Sequence, residues 1–174
     1  MKLIVIDAQN AITVPELYDF EGFVANVKTL IGVARENVVE VIFIRHDDGA
    51  GSVMTPGCEG FEIYSGFSPA GGEKVFDKTV NSIFRSGEVT EYLRSSGETT
   101  LMVCGLQTDY CMDASVKCGF EHGFEMIVPA GANSTFDNGF MTAEESYRYY
   151  NEFMWNGRYA KCVSMDEALE MMRK

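Results

Sequence analysis

The sequence predicts an α/β fold with a mostly parallel sheet of about six strands, and three observations carry that prediction. Short apolar runs rich in β-branched residues recur along the chain, as in parallel strands covered on both faces. Segments with apolar residues at spacings of three and four alternate with them. Most connections between the two kinds are short, the pattern of repeated β-α-β units.

KLIVI (residues 2–6) is the first such run, and FVANVKTLIGVAREN after it sets Val24, Val27, Leu30, Ile31 and Ala34 on one helical face. EVIFI (40–44) is the second strand. The rhythm then breaks: HDDGAGSVMTPGCEGFEIYSGFSPAGGE (46–73) is glycine-rich and has no clear period, and loops of that length commonly act as lids or binding loops. KVF (74–76) is a short strand, and GEVTEYLRSSG a helix stopped by Gly97. TLMVC (100–104) leads into TDYCMDASVKCGFEHG, with Thr108 and Asp109 as N-cap candidates and Gly123 as the stop. EMIV (125–128) and AKCV (160–163) are the last strands. TAEESYRYYNEFMW and SMDEALEMMRK each set a Thr or Ser ahead of acidic residues, a capping signature. Trp155 with Tyr149, Tyr150 and Phe153 reads as core packing. No repeat, low-complexity tract or linker interrupts the chain, so one domain over residues 1–174 is expected.

The 174 residues are 46% hydrophobic and 23% charged, ordinary for a globular protein. A formal net charge of −12 argues against nucleic acid or an anionic membrane as partner, since both need clustered Lys and Arg. MKLIVID meets an aspartate too early for a signal sequence, so a cytoplasmic location is expected. The five cysteines form no CxxC pair. Cys111 and Cys118 are seven residues apart on one helix, about 10 Å of rise, beyond the roughly 7 Å limit for bridged Cα atoms.

Ligands of open parallel sheets bind beyond the carboxyl ends of the strands. Three chemically capable residues stand there: Asp7 after KLIVI, Lys78 two residues after KVF, and Cys111 after TLMVC through the turn GLQTDY. A thiol in a first helical turn gains from unpaired N–H groups and the macrodipole, and a nearby ammonium pushes the same way. That predicts a depressed thiol pKa, with Asp7 as general base.

VIDAQN, the Lys78-x-x-x-Ser82-x-Phe84 segment, GCEGFEI, GLQTDYC and AGANST occur in an order that resembles the isochorismatase-like cysteine hydrolases, which include nicotinamidases and N-carbamoyl amidases. The resemblance implies a three-layer α/β/α Rossmann-like sandwich and an Asp-Lys-Cys triad at Asp7, Lys78 and Cys111. It implies a cis peptide between Leu106 and Gln107, with the backbone N–H groups of Gln107 and Cys111 as an oxyanion hole. The expected reaction is hydrolysis of a small amide or carbamoyl C–N bond through a thioester. Vinyl ether hydrolysis and a catalytically silent binding role are the alternatives. Assembly as a homodimer or larger is also implied.

The nicotinamidase metal site, an Asp-x-His pair with a further histidine, has no counterpart in a chain whose only histidines are His46 and His122. No metal and no cofactor are therefore expected, and His46 reads as a pocket-rim or surface residue. Gln9, Phe84 and Tyr110 are candidate pocket residues for a small-molecule substrate. Arg45 is a candidate carboxylate holder or a salt-bridge partner of Asp47 or Asp48.

Overall fold

A computed structural model describes residues 1–85 and 87–174. The apolar runs form β1 (Lys2–Ile6), β2 (Glu40–His46), β3 (Lys74–Lys78), β4 (Thr100–Leu106), β5 (Glu125–Pro129) and β7 (Lys161–Val163). They pair in parallel in the order β3-β2-β1-β4-β5-β7. Among the described residues the sheet has seven strands, close to the number expected. The additional one, β6 (Asn133–Ser134), pairs with the end of β4. It is two polar residues long, so no apolar run announces it. Side chains hold it instead: Ser134 Oγ donates to the Tyr18 carbonyl (2.6 Å).

Successive strand residues face opposite sides of a sheet, and here both sides are covered. Leu3 and Val5 pack with Phe23, Val27 and Leu30 of α1 (Phe20–Glu36) and Met172 of α5 (Met165–Met172). Ile4 and Ile6 pack with Val89 and Leu93 of α2 (Gly87–Ser95) and Val116 of α3 (Asp113–Glu121). The result is an α/β/α sandwich with a core cluster on each face of the sheet.

α4 (Ala143–Arg148) runs on through a π turn, Tyr149–Met154, that delivers Trp155 into the second cluster. Trp155 is fully buried, and its indole N–H donates to Asp113 Oδ1 at 2.9 Å. The aromatic group is not all core, because Phe153 is exposed. Thr142–Glu145 and Ser164–Glu167 form reciprocal capping boxes.

β1 and β4 sit side by side where the chain reverses its direction of winding, the switch point at which such sheets bind ligands. Gly105 makes that junction possible. Its φ is +125°, and a Cβ there would lie 2.0 Å from the Ile6 carbonyl oxygen.

Residues 46–73 are built more firmly than a solvated excursion. Phe61 and Phe67 are buried, and Ile63 bridges Gln9. Tyr64 N–H donates to the Ala8 carbonyl, while Asn10 and Ala11 N–H donate to Glu62 and Gly60. The segment is thereby laced to the chain leaving β1, and its Met54 reaches a cavity above the strand ends.

Candidate active site

Asp7 is the first residue past β1, with a left-handed φ of 50° that turns its carboxylate inward. Lys78 ends β3, two strands away, and its side chain reaches back over β2. Both are almost fully buried. Lys78 Nζ lies 2.6 Å from Asp7 Oδ2, 2.9 Å from His46 Nδ1 and 3.3 Å from Cys111 Sγ. An ammonium has three N–H donors and no acceptor, so all three protons are directed. Asp7 Oδ1 is buried without a partner among the described residues, leaving it open to the thiol proton. Cys111 Sγ also lies 3.7 Å from Asn81 Oδ1. Asn81 is not among the residues singled out from sequence.

The electrostatics reverse one expectation. Burial, opposed by Lys78, raises the Asp7 pKa above the usual carboxylate range. Burial and the Asp7 charge, again opposed by Lys78, push the Cys111 thiol up to about 12. The thiol is therefore protonated at rest instead of being held as a thiolate. Desolvation disfavours any charged form in a closed site, and it outweighs the helix end and the single ammonium.

Cys111 lies in a π turn, Thr108–Met112, that opens α3, and the peptide joining Leu106 to Gln107 is cis. Thr108 and Asp109 do not cap the helix. The Thr108 hydroxyl donates to Asn133 Oδ1 at 2.7 Å, and Asp109 Oδ1 accepts from the Thr135 hydroxyl. Both are drawn to β6 and its continuation, so the turn carrying Cys111 is tied to the strand that sequence did not reveal. Within this turn the Tyr110 and Met112 N–H groups both donate to the Gln107 carbonyl at 3.1 Å, so neither is free for a developing oxyanion.

A cavity of about 250 Å³ opens above these groups, with Asp7, Cys111, His46, Asp48, Asn81 and Tyr110 in its wall. Gln107 lines it too. The other candidate pocket residues stand elsewhere. Gln9 is fully buried, its amide nitrogen donating to the His46 and Phe61 carbonyls at 3.0 and 2.9 Å. Its Oε1 accepts the His46 backbone N–H at 2.7 Å. It is a clamp between β2 and the 46–73 segment, with no group left for substrate. Phe84 turns away toward α3, stacked on His122 and Phe124 with ring centroids 5.2 and 5.5 Å apart. Arg45 pairs with Asp77 (2.8 Å) and Glu62 (3.1 Å) rather than Asp47 or Asp48. Arg45 and Asp77 are register partners across β2 and β3, which sets the choice.

His46 stands half-buried in the cavity wall, the pocket-rim alternative rather than the surface one. Its Nδ1 contacts Lys78 and its Nε2 lies 3.1 Å from Asp48 Oδ1. Together with Asp7 and Cys111 it forms the only metal-compatible donor group among the described residues, its ligand atoms within 4.8 Å of one another. The donor set does not fit a resident metal, because the Lys78 ammonium already hydrogen-bonds each of the three. His122 is remote from it, its Nδ1 3.0 Å from an Arg94 nitrogen.

The model of the isochorismatase domain matches residues 2–153. The chain belongs to the isochorismatase family. It is similar to streptothricin hydrolase of Streptomyces noursei, 27% identical over 78% of this chain and 54% of that protein. The chain thus spans about half the length of that relative. Nicotinamidase 3 of Arabidopsis thaliana is 25% identical over 78% of this chain and 73% of its own. An isochorismatase-family protein from Chromobacterium violaceum superposes with a TM-score of 0.91 at 25% identity, covering 98% of this chain and 92% of the other. The protein is accordingly an isochorismatase-family hydrolase with an α/β/α sandwich fold. Among the described residues no helix is long and apolar enough to cross a membrane.

Proposed function

We propose that this family member hydrolyses a C–N bond in a small amide or carbamoyl compound, with Cys111 as nucleophile. The observation that carries the reading is the Lys78 ammonium within hydrogen-bond reach of both Asp7 and Cys111 beside a cavity. Cys111 Sγ attacks the carbonyl carbon as its proton passes to Asp7, and the carbonyl electrons move to oxygen. The backbone N–H groups of Gln107 and Cys111 receive that oxyanion. Collapse of the adduct expels the nitrogen, which takes the proton back from Asp7 and departs as ammonia or an amine. Water then attacks the thioester, giving a proton to Asp7, and the departing thiolate recovers it. Lys78 stays charged throughout, offsetting whichever of Asp7 and Cys111 is negative. The raised Asp7 pKa suits a group that must both take and return a proton.

The cavity is smaller than the roughly 300–1,000 Å³ pockets of drug-sized ligands, so a small substrate fits best. Its wall carries two carboxylates, Asp7 and Asp48, while the nearby cations are engaged, Lys78 with Asp7 and Arg45 with Asp77 and Glu62. A neutral or cationic amide is therefore favoured over a carboxylate-bearing one. Ammonia release from a panel of primary amides at pH 8 tests this. Turnover of neutral and amino-substituted amides at least about tenfold faster in kcat/KM than their carboxylate analogues, a gap of about 1.4 kcal/mol, is expected. Turnover of anionic amides alone, or cleavage of a vinyl ether with no ammonia released from any amide, would overturn it.

A further inference from the structure

We infer that His46 is a positioning residue for the catalytic amine, held in one tautomer by Asp48. This rests on the Cys111 reading and extends it from three side chains to five. An ammonium only donates, so the 2.9 Å contact of Lys78 Nζ with His46 Nδ1 requires a lone pair on Nδ1. The imidazole proton must then sit on Nε2, and Asp48 Oδ1, a carboxylate acceptor, stands 3.1 Å from that atom. The two ends of the ring thus assign each other: Asp48 takes Nε2–H, which frees Nδ1 to accept from Lys78.

The placement of His46 is as constrained as its tautomer. It is the register partner of Lys78 across β2 and β3, so the two side chains rise from adjacent strands at the same level. Its backbone N–H and carbonyl are both gripped by the buried Gln9 amide. With two of its N–H groups committed to Asp7 and Cys111, the Lys78 amine has one proton left. His46 takes it. Without that acceptor the buried N–H would be unsatisfied, and the amine would swing toward any polar atom of the cavity wall, such as Asn81 Oδ1. Loss of aim at Asp7 and Cys111 is a positioning fault, which acts on the chemical step and leaves substrate binding largely alone.

Two measurements test the inference. Nitrogen-detected NMR of ring-labelled His46 at pH 8 should find Nε2 protonated and Nδ1 bare in the wild-type protein. This readout needs no substrate, so it stands or falls separately from the hydrolase reading, which is tested by ammonia release. On the best amide of the panel, His46→Ala should lower kcat by about 30–100-fold, the scale of a 1 Å misplacement, with KM changed less than about twofold. His46→Asn puts an amide oxygen near the position of Nδ1 and should recover kcat to within about fivefold of wild type. A protonated Nδ1, a His46→Ala variant with wild-type kcat, or an Asn variant no better than Ala would each overturn the assignment.

Discussion

Cys111→Ala should abolish amide hydrolysis, with kcat reduced on the order of 10⁴-fold or more, the scale seen when a covalent nucleophile is removed. The loss should not come from unfolding. The side chain lost is small, and Cys111, though a member of the core cluster on that face of the sheet, also borders the cavity. Cys104 provides the matched control. It is fully buried in β4, its sulfur 3.7 Å from the Ile4 carbonyl. Burial alone raises its pKa well beyond the physiological range. Cys104→Ala should cost stability by leaving a small cavity and leave kcat within about threefold. Equal activity loss in the two variants would point to packing rather than to nucleophilic chemistry.

Lys78→Met should be the most destabilising single change in the site. The Asp7–Lys78 pair is almost wholly removed from water, with side-chain exposures of 2% and 1%. Removing one partner of a buried pair leaves an uncompensated charge and costs about 3–5 kcal/mol. The penalty should depend on pH, with a sign fixed by linkage. Burial already raises the Asp7 pKa, and Lys78 is the largest influence holding it down, so the variant's folded-state pKa lies higher still. The folded variant then binds a proton that the unfolded chain, at about 3.9, has released. Its stability should therefore fall as pH rises from the unfolded value through the raised one. Urea denaturation at pH 5.5 and pH 8 measures this: the gap to wild type should be wider at pH 8. A constant gap would mean that Asp7 is not the group left exposed to the loss.

The sheet and the three strand-end residues were legible because each is written locally. Continuous β-branched runs mark buried parallel strands, and the polar residue after each run is where such sheets place ligands. What the sequence hid was lateral. That His46 and Lys78 are register partners depends on how β2 and β3 align, which no single segment states. Gln9 sits next to the site in the chain but spends its amide on two backbone groups. Phe84 lies on the Lys78 segment, yet the turn after Asn81 carries it to His122 and Phe124. β6 escaped because its two residues are polar, even though Asn133 and Thr135 anchor the turn that carries Cys111. The thiol's pKa went the wrong way because helix ends are readable from sequence and burial depth is not.

The central claim is that Asp7 and Lys78 act on the Cys111 proton in opposite senses. Carbamidomethylation of Cys111 by iodoacetamide across pH, read by peptide mass spectrometry in wild type, Asp7→Asn and Lys78→Met, tests it directly. In wild type the reactivity should rise only above the free-thiol pKa of about 8.5, since burial and the Asp7 charge push the thiol up. Asp7→Asn should move the rise to lower pH while hydrolysis is lost, and Lys78→Met should move it higher. A wild-type midpoint below about 8.5, or three coincident curves, would contradict the account.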